Sequence, residues 1–304
     1  MIVRPRSHWL RMLFVWRGSV VYRILPQLGV STAIAVIVTL SHGQVFGYKV
    51  GLTAVPFTLL GITLAIFLGF RNTVSYERYW DARKLWGSLL NDARSATRQT
   101  LSLCDAGPEP KREFVYALMA CTYALKHELR GTSAADDLAR LLPPVWQPRV
   151  LAARYAPAMI LLCLGERVGL WLRGGQLTPL LAGQLDASLG RLTDTVGGCE
   201  RIAGTPIPFA YSVLLHRTIY LYSFLLPFGL IDSIGPMTAV IVAFVSYTFF
   251  ALDALAEEIE EPFGEEPNDL PLDALSRTIE ITLREMLGET DLPPPLTPQR
   301  YVLN

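Results

Sequence analysis

Apolar positions along this chain fall into a few long runs set between amphipathic stretches, and the most structured run is Val50–Phe70. It carries no charged side chain and has about the length a helix needs to cross a bilayer core. Ile62, Ile66 and Phe70 recur at i, i+4 and i+8, so they stack along one helix face. Gly61, Ala65 and Gly69 form a ridge of small residues on the neighbouring face, the pattern that lets a second helix approach closely. Pro56 interrupts the first half. A span with a bulky stripe beside a glycine ridge needs neighbours on both sides.

The preceding apolar run, Leu28–Phe46, is broken at Ser41-His42-Gly43-Gln44, and a short connection holding Lys49 leads into Val50. Together they predict a transmembrane hairpin over 28–70. Before it, residues 1–27 mix arginines (Arg4, Arg6, Arg11, Arg17, Arg23) with Trp9, Leu10, Leu13, Phe14 and Trp16, as in a basic amphipathic segment lying at the membrane interface. No small-residue cleavage site follows, so the segment is expected to be retained. From Arg71 to Thr205 the apolar positions take helical, amphipathic spacing, broken at Gly107-Pro108, Pro143-Pro144, Pro148 and Gly174-Gly175. This predicts a cytoplasmic helical portion over 71–205. Ala158–Leu164 is apolar, but Glu166, Arg167 and Arg173 beside it predict a short buried helix and no span. Val213–Ile231 and Pro236–Leu252 predict a second hairpin within 206–255, and 256–304 is an acidic tail ending in a proline-rich stretch. The fold expected is thus an all-α membrane protein with four transmembrane helices.

Composition supports a membrane protein. Hydrophobic residues make up 51% of the 304 and charged residues 18%, against about 25% charged in soluble domains. Basic and acidic residues balance at 27 each, which gives no argument for nucleic acid. Their distribution orients the chain: Arg71, Arg78, Arg83 and Lys84 follow the first hairpin, whereas the two hairpin connections hold Lys49 and no arginine. The positive-inside rule then puts both termini and the helical portion in the cytoplasm. Cys104, Cys121, Cys163 and Cys199 are widely spaced with no CxxC pair, against zinc or redox chemistry. His8, His42, His127 and His216 are scattered, and neither HExxH nor GxSxG occurs, so no enzyme is expected. His216-Arg217, opening the third span, suits a snorkelling or an interhelical contact.

Three constellations remain. The stripe Ile62–Ile66–Phe70 either faces lipid and core or forms a hydrophobic constriction that gates by dewetting; a single helix cannot enclose a hole, so the second reading needs several copies around an axis. Arg71-Asn72 and the aromatic run through Trp86 read as headgroup anchors or as a charged lining just inside that constriction. Glu265, Glu266, Asn268 and Asp269 lie close together around Pro and Gly; hard cations take such oxygens, but the spacing is not that of an EF-hand loop.

Three segments, FLGFRNTVSYERYWDARKLWG (67–87), CERIAGTPIPFAYSVLLHR (199–217) and LDALAEEIEEPFGEEPNDLPLD (252–273), together resemble the bacterial branch of the bestrophin family. The resemblance implies a homopentameric ion channel with one central pore, whose partners are its own copies, membrane lipid and small monovalent ions. It puts Ile62, Ile66 and Phe70 in the pore neck and Leu180 at a cytoplasmic aperture. It implies a multi-pass protein of the bacterial cytoplasmic membrane, conducting chloride-type anions and needing no cofactor. Animal members carry a calcium clasp at the PFG turn; Glu266 and Asp269 fit two of its carboxylate positions, while Pro267 and Asn268 replace acidic residues. Two isoleucines in place of phenylalanines in the neck leave cation selectivity as an alternative. A membrane-anchored scaffold or sensor is the alternative from another class.

Overall fold

The computed structural model describes residues 1–5, 8–16 and 18–304. In chain order the helices are α1 (Trp9–Met12), α2 (Val21–Leu40), α3 (Ala54–Leu103), α4 (Pro108–Arg130), α5 (Ala135–Leu141), α6 (Gln147–Leu151), α7 (Ala156–Arg173), α8 (Pro179–Gly204), α9 (Phe209–Ile234), α10 (Thr238–Glu260) and α11 (Leu272–Met286). Strands β1 (Gln44–Val45) and β2 (Tyr48–Lys49) make a two-residue antiparallel ladder between α2 and α3. Among the described residues, three helical stretches are long and apolar enough to cross a membrane: Val21–Leu40, Ala54–Leu103 and Phe209–Glu260. The last comprises α9 and α10 around a 3₁₀ turn at Gly235–Met237.

The chain divides into two compact units. The membrane unit holds Pro5–Tyr79 and Pro206–Glu261, hence the short α1, α2, the first half of α3, α9 and α10. Here α10 packs on α2 and α9, and α2 packs on α9. Phe57, Leu64 and Leu68 of α3 enter a common core with Ile219, Tyr222 and Phe249. A buried polar contact joins α2 to α10: the Ser31 and Ser246 hydroxyls meet at 2.8 Å, satisfying each other where water is absent. The two hairpin connections are tied at 2.8 Å by Lys49 and Asp232.

Several boundaries differ from the sequence reading. The first span starts at Val21 and ends at Leu40, because the helix runs through Pro26 and stops where Gly43 takes a positive φ of 77°. Phe46, expected within that span, sits exposed in the tight turn between β1 and β2 with a positive φ of 50°. Pro56 does not interrupt the second span. It lies in the first turn of α3, where the missing N–H would have no intrahelical partner. Beyond Phe70 the helix continues without a break to Leu103, since no proline intervenes and Gly87 is the lone glycine before Gly107. The apolar N-terminal side chains Trp9, Leu13, Phe14 and Trp16 are exposed, and Arg6 and Arg17 of that segment lie outside the described residues.

The helical unit holds Met1–Arg4, Trp80–Thr205 and Pro262–Asn304. Its centre is α4, buried from Phe114 to Lys126 save for Tyr116, with α5, α7, α8 and α11 packed around it. The apolar stretch Ala158–Leu164 is part of α7, covered by α4 and α8. All four cysteines are buried in this unit as free thiols.

Candidate functional site

Two faces of α3 meet opposite surroundings within one chain. Phe57, Leu64 and Leu68 are buried, and the same helical spacing continues into Arg71 and Ser75, buried as well. The other face carries the stripe. Ile62, Ile66 and Phe70 remain 55%, 52% and 62% exposed within one chain. The small-residue ridge is used at one end: a Cβ on Gly61 would lie 2.9 Å from the Tyr222 hydroxyl of α9, whereas Gly69 meets nothing within 4 Å and Ala65 is exposed.

Where the buried face turns polar, Arg71 is 5% exposed. Its Nη1 donates to Asp253 Oδ1, and its Nη2 lies 3.5 Å from Glu260 Oε2. Both carboxylates stand on α10, two turns apart on one face. Around them, His216 Nδ1 meets Asp253 Oδ2 at 3.1 Å, and the Ile207 amide donates to Glu260 Oε1 at 3.2 Å. Arg78 Nε donates to the Glu260 carbonyl at 3.3 Å. Asn72 Nδ2 bridges the carbonyls of Leu68 (2.9 Å) and Leu252 (3.1 Å), and Tyr211 donates to the Phe67 carbonyl at 3.1 Å. Every polar group from Phe67 to Arg78 named here is fastened to α9, α10 or the turn before α9. Arg71 is therefore neither a headgroup anchor nor a charged lining: two carboxylates enclose it. Of the two contacts open to it from the sequence, snorkelling or interhelical, His216 makes an interhelical one, to Asp253 of α10. Sequence reasoning missed Asp253 and Glu260 as the partners of Arg71; the signal was Asp253, a carboxylate set directly against the uncharged run Met237–Leu252, since an ionisable group at a span needs a partner.

In the helical unit, Leu180 occupies the first turn of α8 and is 74% exposed. The acidic turn is closed on itself. Asp269 Oδ2 accepts from the Glu266 amide at 2.7 Å, the Asp269 amide donates back to the Glu266 carbonyl at 3.0 Å, and the Glu266 side chain is exposed. Arg130 serves this turn, donating from Nε to the Phe263 carbonyl at 3.3 Å and from Nη1 to Asp273 at 2.7 Å. Burial alone would raise the Asp273 carboxyl, but hydrogen bonds from Lys126 and Arg130 hold it below the usual range. Among the described residues no three His, Cys, Asp or Glu side chains gather where a metal ion could be held.

Comparison with known proteins agrees with this architecture. The family described as Bacterial/Fungal Bestrophin protein matches residues 1–285. A voltage-dependent anion channel-forming protein of Ralstonia nicotianae is 48% identical, with 100% of each chain covered. The voltage-dependent anion channel-forming protein YneE of Escherichia coli is 45% identical, with 99% of each covered. The crystal structure of a bacterial bestrophin homologue from Klebsiella pneumoniae superposes with a TM-score of 0.85 at 42% identity, covering 89% of this chain and 100% of that one.

Proposed function

This chain belongs to the bacterial and fungal bestrophin family, and from that premise we propose that it is a passive ion channel and not an enzyme, assembled as a homopentamer around one pore in the bacterial cytoplasmic membrane. Its relatives are named for forming anion channels, and anions are accordingly the ions assigned to this one. Five copies of α3 line the neck with Ile62, Ile66 and Phe70, Leu180 forms a second, cytoplasmic aperture, and both termini are cytoplasmic.

One observation carries the reading. A stripe of three bulky apolar residues on a membrane helix is left bare by its own chain while the opposite face is packed and ionically fastened. A ring of such side chains offers water and ions no hydrogen bond, so the barrier to permeation is set there. Purified protein in planar bilayers, under asymmetric sodium chloride, tests the reading: the reversal potential is expected to move toward the chloride potential, and Ile66→Ala to raise flux severalfold. Flux unchanged by Ile66→Ala counts against the neck.

A second reading, the same channel selective for cations, draws on the charge of the anchor. The guanidinium of Arg71, adjoining Phe70, is matched by two carboxylates, so it adds no net positive charge that would draw anions to this level. A reversal potential moving toward the sodium potential decides for it.

A further inference from the structure

Apolar contacts alone do not fix how a membrane helix is rotated about its axis. Lipid tails are as apolar as leucine, so turning Leu64 or Leu68 from its neighbours toward lipid forfeits packing but no hydrophobic driving force. A buried ion pair behaves differently, because a guanidinium moved away from its carboxylates is left as an uncompensated charge. On the membrane half of α3 the buried ion-pairing group is Arg71, the residue after Phe70, held by Asp253 and Glu260 two turns apart on α10. The carboxylates are themselves fixed by His216 and by the Ile207 amide, and Asn72 bonds the Leu252 carbonyl beside them. One residue corresponds to about 100° around a helix, so fixing Arg71 fixes the direction in which Phe70, and with it Ile66 and Ile62, points.

We propose that the Arg71–Asp253–Glu260 cluster is the positioning device of the pore neck: it sets the rotation and depth of α3 that aim Ile62, Ile66 and Phe70 at the axis. Its members are positioning residues and touch no permeating ion. The proposal rests on the neck reading above. It predicts that channel geometry, and not merely stability, depends on charges facing away from the pore.

The test uses the full-length protein in planar bilayers, reading unitary conductance and the largest permeant member of a size series of organic ions of the permeant sign, with the elution volume of the assembly as control. Asp253→Asn is expected to change conductance at least threefold and to shift the size cut-off at an unchanged elution volume. Arg71→Met is expected to do the same. Arg71→Lys, which keeps a cation in place, is expected to restore the wild-type cut-off. General destabilisation lowers the number of channels and leaves the cut-off of each unchanged. Should Asp253→Asn fail to assemble, Glu260→Gln, which leaves the Arg71–Asp253 pair intact, decides by the same readout with a smaller shift expected. Wild-type conductance and cut-off in these variants, alongside an altered cut-off in Ile66→Ala, overturns the positioning role. An unaltered Ile66→Ala overturns the neck reading instead.

Discussion

Glu128 near the end of α4 is a carboxylate set against another carboxylate, and its behaviour separates this protein's acid limb from its alkaline one. Its Oε2 is buried without a hydrogen-bond partner; burial, then the charge and shared hydrogen bond of Glu200, push its pKa up to about 7. Asp137 and Glu280 in the same unit go the other way. Burial would raise each, but His127 and Arg140 hold the first down, and Arg140 and Tyr123 the second. The signs are therefore opposite. Stability from Asp137 and Glu280 is present above the ordinary carboxylate range and lost as pH falls through it; stability linked to Glu128 is full below that range and lost as pH rises to about 7. Glu128→Gln is accordingly expected to be near neutral at low pH. Its advantage should grow through the rise to neutrality and level off above it, at about 1 kcal/mol once solvent screening of a part-exposed group is allowed for. Thermal unfolding of the detergent-solubilised variant across pH checks this; an advantage that does not change with pH defeats it. Nothing in the sequence announces this pair, because Glu128 and Glu200 meet only once α4 packs on α8.

At the scale of elements, α3 shows what a sequence pattern conveys and what it leaves out. The stripe and the small-residue ridge were legible because helical spacing is periodic. The unbroken continuation of the span to Leu103 was not, since the change from apolar to amphipathic composition resembles a boundary even where no residue breaks the helix. The glycines were half legible. Gly61 does meet α9, but the tightest approach in the membrane unit is at Gly229, where an added Cβ would run into the Phe57 ring of α3. No spacing rule points to Gly229, because its need arises from the ring opposite it. That ring stands edge-on to Tyr222 with centroids 6.0 Å apart and has little room to yield. Gly229→Ala is expected to destabilise by about 1–3 kcal/mol, the usual range for overpacking. Phe57→Leu in the same chain should recover most of the loss, giving a coupling of about 1 kcal/mol or more in a double-mutant cycle. Additive losses would show that the ring and the glycine do not share this strain.

For the whole molecule the question is whether one barrier or two govern the path. Ile66 in the membrane unit and Leu180 in the helical unit are both bulky, apolar and exposed in the single chain, and the proposed assembly makes each a ring of five. Rings along one path act as resistances in series, so their resistances add and the narrower one dominates. Widening the dominant ring raises flux greatly, while widening the other has a small effect that grows once the first no longer limits. If the neck dominates, Leu180→Ala alone should raise flux less than twofold and Ile66→Ala severalfold. The double variant should then exceed Ile66→Ala by a larger factor than Leu180→Ala exceeds the wild type. Isotope flux into liposomes, at matched channel number, measures all four. Equal factors would mean that the two side chains do not act in series. A double variant no different from Ile66→Ala would remove Leu180 from the permeation path altogether.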